Sequence, residues 1–103
     1  MKKIISTPKA PSAIGPYNQA TAFDKLIFTS GQIALDPTTM EIVSGGVQEQ
    51  TFQVMENLKA VLEEAGSSFE NVLKTTCYLS DMDNFVAFNE IYGQYFKGET
   101  APA

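Results

Sequence analysis

The chain has 103 residues with seven lysines and no arginine against twelve acidic residues, one cysteine, no histidine and 44% apolar residues, the composition of a single soluble domain. Without histidine no Ser-His-Asp triad, Cys-His pair or HExxH zinc site can be built, and without arginine no planar fork exists to clamp a carboxylate or phosphate. The lone thiol, Cys77, can close no disulfide within the chain, which makes a reducing cytoplasmic setting the default, and the net charge of −5 disfavours nucleic acid as a partner.

Met1 to Ile5 mimics the start of a signal peptide, but Ser6-Thr7-Pro8-Lys9 follows before an apolar core of the required length can form. Nowhere does the chain offer the ~18 consecutive apolar residues of a membrane span. Thr7 to Pro16 holds three prolines and one glycine and reads as an ordered loop that ends in Gly15-Pro16-Tyr17. Asn18 to Phe23 and Leu26 to Leu35 are expected as two antiparallel strands joined by a tight Asp24-Lys25 connection. Gly31 falls inside the second of these, where a glycine marks a bulge or a close approach to the backbone. Asp36-Pro37-Thr38-Thr39 is turn chemistry, and Glu41-Ile42-Val43 is a candidate short strand before Gly45-Gly46.

From Val47 to Ala65 the positions Val54, Met55, Leu58, Val61, Leu62 and Ala65 form one helical face, with Gly66 as the stop. Val72 to Leu79 alternates, with Leu73, Thr75, Cys77 and Leu79 on one face, and reads as a central strand. Ser80-Asp81-Met82-Asp83 supplies capping oxygens for a second helix, whose stripe is Phe85, Phe88, Tyr92, Tyr95 and Phe96 and which Gly98 closes. The expected fold is α+β, with two helices on one face of a mixed β-sheet. Thr100 to Ala103 reads as the exit from a helix, and a sheet of about three or four strands is smaller than usual. The expectation is therefore a single domain over 1–103 that lacks C-terminal strands.

Three stretches carry a family resemblance. Gly15-Pro16-Tyr17-Asn18-Gln19-Ala20, Ser30-Gly31-Gln32-Ile33 with Asp36-Pro37, and Asp81-Met82-Asp83-Asn84-Phe85 running to Phe88-Asn89 and Tyr92 closely resemble the signature segments of the RidA (YjgF/YER057c/UK114) family. The resemblance implies a chorismate-mutase-like fold and a homotrimer with clefts between subunits. It also implies hydrolysis of reactive enamines and imines, 2-aminoacrylate and 2-aminocrotonate and their imine tautomers, to 2-keto acids and ammonia. No metal or organic cofactor is implied, since an imine is already electrophilic and needs positioning, a directed water and a proton for the departing ammonia. In the family a Pro-Ala-Arg segment opens the next strand, its arginine holding the substrate carboxylate, and a later glutamate positions the water. This sequence reads Pro102-Ala103, so no catalytic residue of that kind lies within it, and the chain as written is expected to be a poor deaminase. A small-carboxylate-binding protein, or a translation inhibitor or endoribonuclease, is the alternative reading of the same resemblance.

The resemblance assigns substrate binding to Tyr17, Ser30, Gly31 and Asn89. By residue type alone, Tyr17 is either a loop tyrosine packed on the core or a ring aimed into a cleft by Gly15-Pro16. Ser30 and Gly31 either relieve crowding or expose backbone polar groups to a carboxylate. Asn89 places an amide on an otherwise apolar stripe, four residues after Phe85 and three before Tyr92. It either anchors a neighbouring loop or faces a ligand. Cys77 reads as a small core hydrophobe, and Glu49, Glu56, Glu63 and Glu64 as a solvated helix face.

Overall fold

A computed structural model describes residues 1–103. Three short strands, β1 (Lys3–Ile5), β2 (Ala20–Phe23) and β3 (Leu26–Thr29), form an antiparallel sheet in the order β1-β2-β3. Ile5 pairs with Ala20, and Ala20 in turn with Thr29. The β2–β3 connection is the expected Asp24-Lys25 turn: Phe23 pairs with Leu26, and Asp24 takes a left-handed φ of 56°, which aspartate tolerates through local hydrogen bonding of its short side chain. β1 was not legible as a strand, because its three residues are too few to show alternation.

Helix α1 (Val47–Glu64) matches its expected span. At its start the Glu49 carboxylate reaches back to accept the Gly46 N–H at 2.8 Å, satisfying a donor that has no partner within the helix. At its end Ser67 N–H donates to Leu62 O and Gly66 N–H to Glu63 O. Gly66 adopts a φ of +80°, which closes a Schellman turn. Val61 of α1 meets Ile5, Ala10 and Ala20 in the buried core, with Ala22, Ile27, Ala60 and Ala65 packed around it. The cluster between helix and sheet is thus built from small and β-branched side chains.

Helix α2 (Phe85–Tyr92) lies beside α1 and is shorter than expected. A 3₁₀ turn, Met82–Asn84, precedes it, with the Asp81 carboxylate accepting the Asp83 N–H at 2.9 Å. Gly93 ends it, and single turns continue to Tyr95. A glycine inside a helix costs about 1 kcal/mol relative to alanine, which favours a stop there over continuation to Gly98. The aromatic stripe nevertheless packs as a unit: Phe88 stacks on Tyr92 at 5.2 Å between centroids, Tyr92 meets Phe96 at 4.9 Å, and Phe69 sets its edge against Tyr95 and Phe96.

The sheet differs from the expected mixed sheet in two places. β3 ends at Thr29 rather than Leu35, so Gly31 lies beyond the strand. Leu35 and Ile42 make only an isolated antiparallel bridge. The second difference is the stretch from Val72 to Leu79, which is extended but lies against neither edge of the three-stranded sheet. Its ladder bonds go to Ala103, whose N–H donates to Leu73 O at 2.9 Å and whose carbonyl accepts from Thr75 N–H at 3.0 Å. One residue bonding on either side of its opposite number is the parallel pattern. Alternation reports extended backbone correctly, but a strand also needs a neighbour, and that neighbour is set by tertiary placement. As a consequence Cys77 is exposed and is not the core hydrophobe its face predicted. Leu73 and Tyr78 are exposed with it. On the sheet face turned away from α1, Ile4, Phe23, Leu26 and Phe28 are all open, with Phe28 65% exposed.

Candidate functional site

The Thr7–Pro16 loop is irregular, yet it is held firmly from within by one side chain. Gln19, only 4% exposed, accepts the Thr7 N–H at 2.6 Å and donates to the carbonyls of Thr7, Ala10 and Pro11 at 3.0, 3.2 and 2.8 Å. Thr7, Ala10 and Pro11 are the buried residues of the loop and must satisfy their backbone without water, and Gln19 does this where no strand is available. The loop delivers Tyr17 at its exit. Tyr17 N–H donates to Gly15 O, and the Tyr17 hydroxyl accepts from Ile14 N–H at 3.3 Å. The ring is half exposed, at 47%, so it is not packed into the core.

Ser30 ties the end of β3 to this loop. Its N–H donates to Gln19 O at 2.9 Å, and its hydroxyl donates to Asn18 O. Ser30 and Gly31 therefore sit next to the residue that follows Tyr17. Gly31 is exposed, and a Cβ built on it would meet nothing within 4 Å, so close packing is not the reason for its small size. The N–H groups of Gly31, Gln32 and Ile33 have no acceptor within the chain. Each of these N–H groups is free to donate to a ligand, whereas the Ser30 hydroxyl is already committed to Asn18 O.

Beyond this row the chain is fixed from α1. Asn57, 1% exposed, donates its amide to Leu35 O at 2.9 Å and to Ile33 O at 3.3 Å. Its oxygen accepts from Gln53 Nε2 at 2.9 Å. Both Gln19 and Asn57 escaped the sequence reading. The signal for Asn57 was present, because it sits three residues after Val54 and four before Val61, an amide on an apolar helix stripe.

Asn89 behaves differently from its expectation as a buried amide. It is exposed on α2, and its side chain makes no hydrogen bond, so it anchors no loop. Within one chain no bond links it to Tyr17, Ser30 or Gly31. Two surface hollows, of about 450 Å³ around Ser6, Thr7, Asn18 and Gln19 and about 400 Å³ around Val43, Phe52 and Ile91, include none of the four predicted residues. Tyr17, Gly31 and Asn89 are exposed, and Ser30 is half-buried.

The carboxylates divide into separate roles. Glu49 caps its own helix, and Glu56 accepts the Tyr95 hydroxyl at 2.8 Å, while Glu63 and Glu64 are exposed as expected. Burial pushes the Tyr95 hydroxyl well above the ordinary tyrosine range, and the Glu56 carboxylate adds to the rise. Burial also raises Tyr92, opposed by its hydrogen bond with Thr75. No group of three His, Cys, Asp or Glu side chains converges on a point where a metal could sit, and no helix is long and apolar enough to cross a membrane.

Comparison with known proteins gives consistent matches over nearly the whole chain. The family described as Endoribonuclease L-PSP matches residues 7–103. A RutC family protein of Synechocystis is 59% identical over 98% of this chain and 78% of its own length. The human 2-iminobutanoate/2-iminopropanoate deaminase is 50% identical over 94% of this chain and 71% of its own. The crystal structure of Escherichia coli TdcF with bound serine superimposes with a TM-score of 0.89 at 42% identity, covering 98% of this chain and 79% of that one.

Proposed function

Because this chain belongs to the Endoribonuclease L-PSP family, the RidA family of the sequence resemblance, we propose that it takes part in the hydrolytic deamination of 2-iminobutanoate and 2-iminopropanoate to 2-keto acids and ammonia. The observation that carries this reading is the row of open N–H donors at Gly31, Gln32 and Ile33 beside Ser30 and the Tyr17 loop. It stands in a chain 50% identical to a protein named for that activity. A 2-imino acid presents a carboxylate, and neutral amides can hold it where no arginine is available among these 103 residues. The carboxylate is received by the N–H row, and Tyr17 lies over the adjoining surface. Water adds to the imine carbon, both of its protons pass to the nitrogen, and the C–N bond breaks as the added oxygen becomes the carbonyl, leaving a keto acid and ammonia.

A site on open surface needs a second wall to orient its water. The reading therefore includes a homotrimer, in which Asn89 of one subunit faces the Tyr17 and Gly31 surface of the next. The uncovered apolar sheet face of Ile4, Phe23, Leu26 and Phe28 supports association, since a heterologous contact repeated three times closes a ring. The cytoplasm is the proposed setting, where pyridoxal-phosphate dehydratases release such imines.

The test is the decay of 2-iminobutanoate generated in situ by a dehydratase, followed with and without this chain and with a version extended by the family's Pro-Ala-Arg continuation. A guanidinium contributes a charge-assisted bond worth about 1.5–3 kcal/mol, so the extended version is expected to be faster by at least tenfold. No acceleration by either version, with cleavage of a generic RNA by the same preparation, would transfer the assignment to the ribonuclease reading.

A further inference from the structure

The deamination chemistry makes no use of the hollow between the two helices. It has a volume of about 400 Å³ and is lined by Val43, Gln48, Glu49, Phe52, Gln53 and Ile91. Its walls are fixed from within the chain. Gln48 Nε2 donates to Ala87 O at 3.3 Å and to Glu90 Oε2 at 3.0 Å, which pins α2 against the first turn of α1. Val43 N–H donates to Ala34 O at 3.0 Å, and Leu35 bridges Ile42, so the chain entering α1 is held as well. The Glu49 carboxylate is tied to the Gly46 N–H. An occupant therefore meets a surface with little left to order.

Phe52 stands in this hollow at 52% exposure, although every other apolar residue of α1 is buried or half-buried. One exposed apolar side chain is ordinary on a protein surface, but the charge around this one is one-sided. The chain carries no lysine between Lys25 and Lys59 or between Lys74 and Lys97. Glu41, Glu49, Glu56 and Glu90 fall in those stretches, and so does every residue that lines the hollow. Lys59 lies seven residues beyond Phe52 on α1, about 10 Å along the axis. The sign of the rim selects the occupant. Anionic bilayers and nucleic acid are repelled by it, and the same face of a second copy would set carboxylate against carboxylate. A cationic partner is attracted instead.

From this arrangement we infer that the hollow between α1 and α2 docks a basic amphipathic helix of a partner protein. Its apolar side chains seat on Phe52 and Ile91, and its lysines or arginines meet the Glu49 and Glu90 carboxylates, the helix-in-groove mode of recognition. The inference stands independently of the deaminase reading, which uses the surface of Tyr17 and Gly31–Ile33.

The experiment titrates the protein with a helical peptide made of two repeats of Leu-Lys-Lys-Leu-Leu-Lys-Leu, and with a counterpart in which glutamate replaces every lysine. Calorimetry reads the affinity, and amide resonances locate the contact. The lysine peptide is expected to move the amides of Gln48, Phe52, Gln53 and Ile91, and the glutamate peptide to move none of them. Phe52→Ser is expected to weaken the lysine peptide at least about tenfold, the loss of one anchor. Glu90→Lys is expected to weaken it at least about threefold, an effect that shrinks in ~0.5 M salt. Both positions are exposed, so both variants should melt within about 3 °C of wild type; where Phe52→Ser fails to fold, Glu90→Lys decides alone. Resonance shifts that miss the four amides, equal binding of the glutamate peptide, or unchanged affinity in either folded variant overturns the inference. Self-association of wild type, or its binding to phosphatidylglycerol vesicles, that disappears in Phe52→Ser assigns the hollow to a second copy or to a membrane and overturns it as well.

Discussion

Replacing Gln19 by leucine, a side chain of similar volume, removes the internal support of the Thr7–Pro16 loop with little change in packing. Four backbone groups lose a partner: the Thr7 N–H and the carbonyls of Thr7, Ala10 and Pro11. Thr7 and Ala10 are themselves 5% and 1% exposed, so water cannot replace the amide without opening the loop. Each stranded buried group costs about 1–3 kcal/mol. Counting only the two shortest bonds, to Thr7 N–H and Pro11 O, gives about 2–6 kcal/mol. That is a large share of the roughly 5–15 kcal/mol that holds a domain of this size. At about 4–8 °C per kcal/mol, the melting temperature of Gln19→Leu is expected to fall by at least about 8 °C. The assay is thermal and urea unfolding of both proteins, with an unchanged urea m-value certifying that stability and not compactness has moved. A companion, Gln19→Glu, keeps an acceptor for Thr7 N–H but sets a carboxylate against three carbonyls, which raises its pKa. Stability is then present while that group is protonated and is lost as pH rises through its folded pKa, so this variant should gain on wild type between pH ~8 and ~5. A Gln19→Leu protein that melts within about 3 °C of wild type would refute the reasoning, since the amide would then contribute no more than a solvated surface group.

Four further outcomes are expected. Gly31→Ala should leave the melting temperature within about 2 °C, because its Cβ meets open space, but should slow imine decay several-fold by covering the donor row. Gly45→Ala should do the reverse and cost about 1–3 kcal/mol, since Gly45 has a φ of +111° and an added Cβ would lie 2.6 Å from the Glu49 carboxylate. A destabilised Gly31→Ala in unfolding assays would remove the argument that this glycine serves a ligand. Tyr95 is raised by burial and then by Glu56, while in the unfolded chain it ionises near pH ~10. The stabilisation from keeping it protonated is therefore complete below that pH and is lost as pH rises above it, and Tyr95→Phe should show a shallower alkaline decline in melting temperature than wild type. Phe28→Glu should abolish association, with trimer mass in sedimentation for wild type and monomer for the variant at micromolar concentration. A wild-type monomer would sink the three-subunit reading.

Local pattern was enough wherever one residue and its near neighbours settle the structure. The α1 stripe from Val54 to Ala65, its stop at Gly66, the Asp24-Lys25 turn and the Asp81 cap follow from helical periodicity and short-range hydrogen bonding, and the α+β class follows with them. The Gly15–Ala20, Ser30–Ile33 and Asp81–Tyr92 segments were also sufficient to name the family, because identity and spacing along the chain carry that information without coordinates. What periodicity could not decide is which groups from distant segments meet. Val72 to Leu79 alternates as a strand does, yet whether Cys77 is covered depends on what lies against it, and although the Tyr92 hydroxyl comes near the thiol, Cys77 stays exposed. Asn89 and Asn57 are both amides on apolar helix stripes, but one is open and the other is buried beneath the carbonyls of Ile33 and Leu35. The difference lies in where the loop after β3 is laid down. A side-chain amide acquires its role from backbone groups more than twenty residues away, and only the packing of α1 on the sheet brings those groups within 3 Å or so.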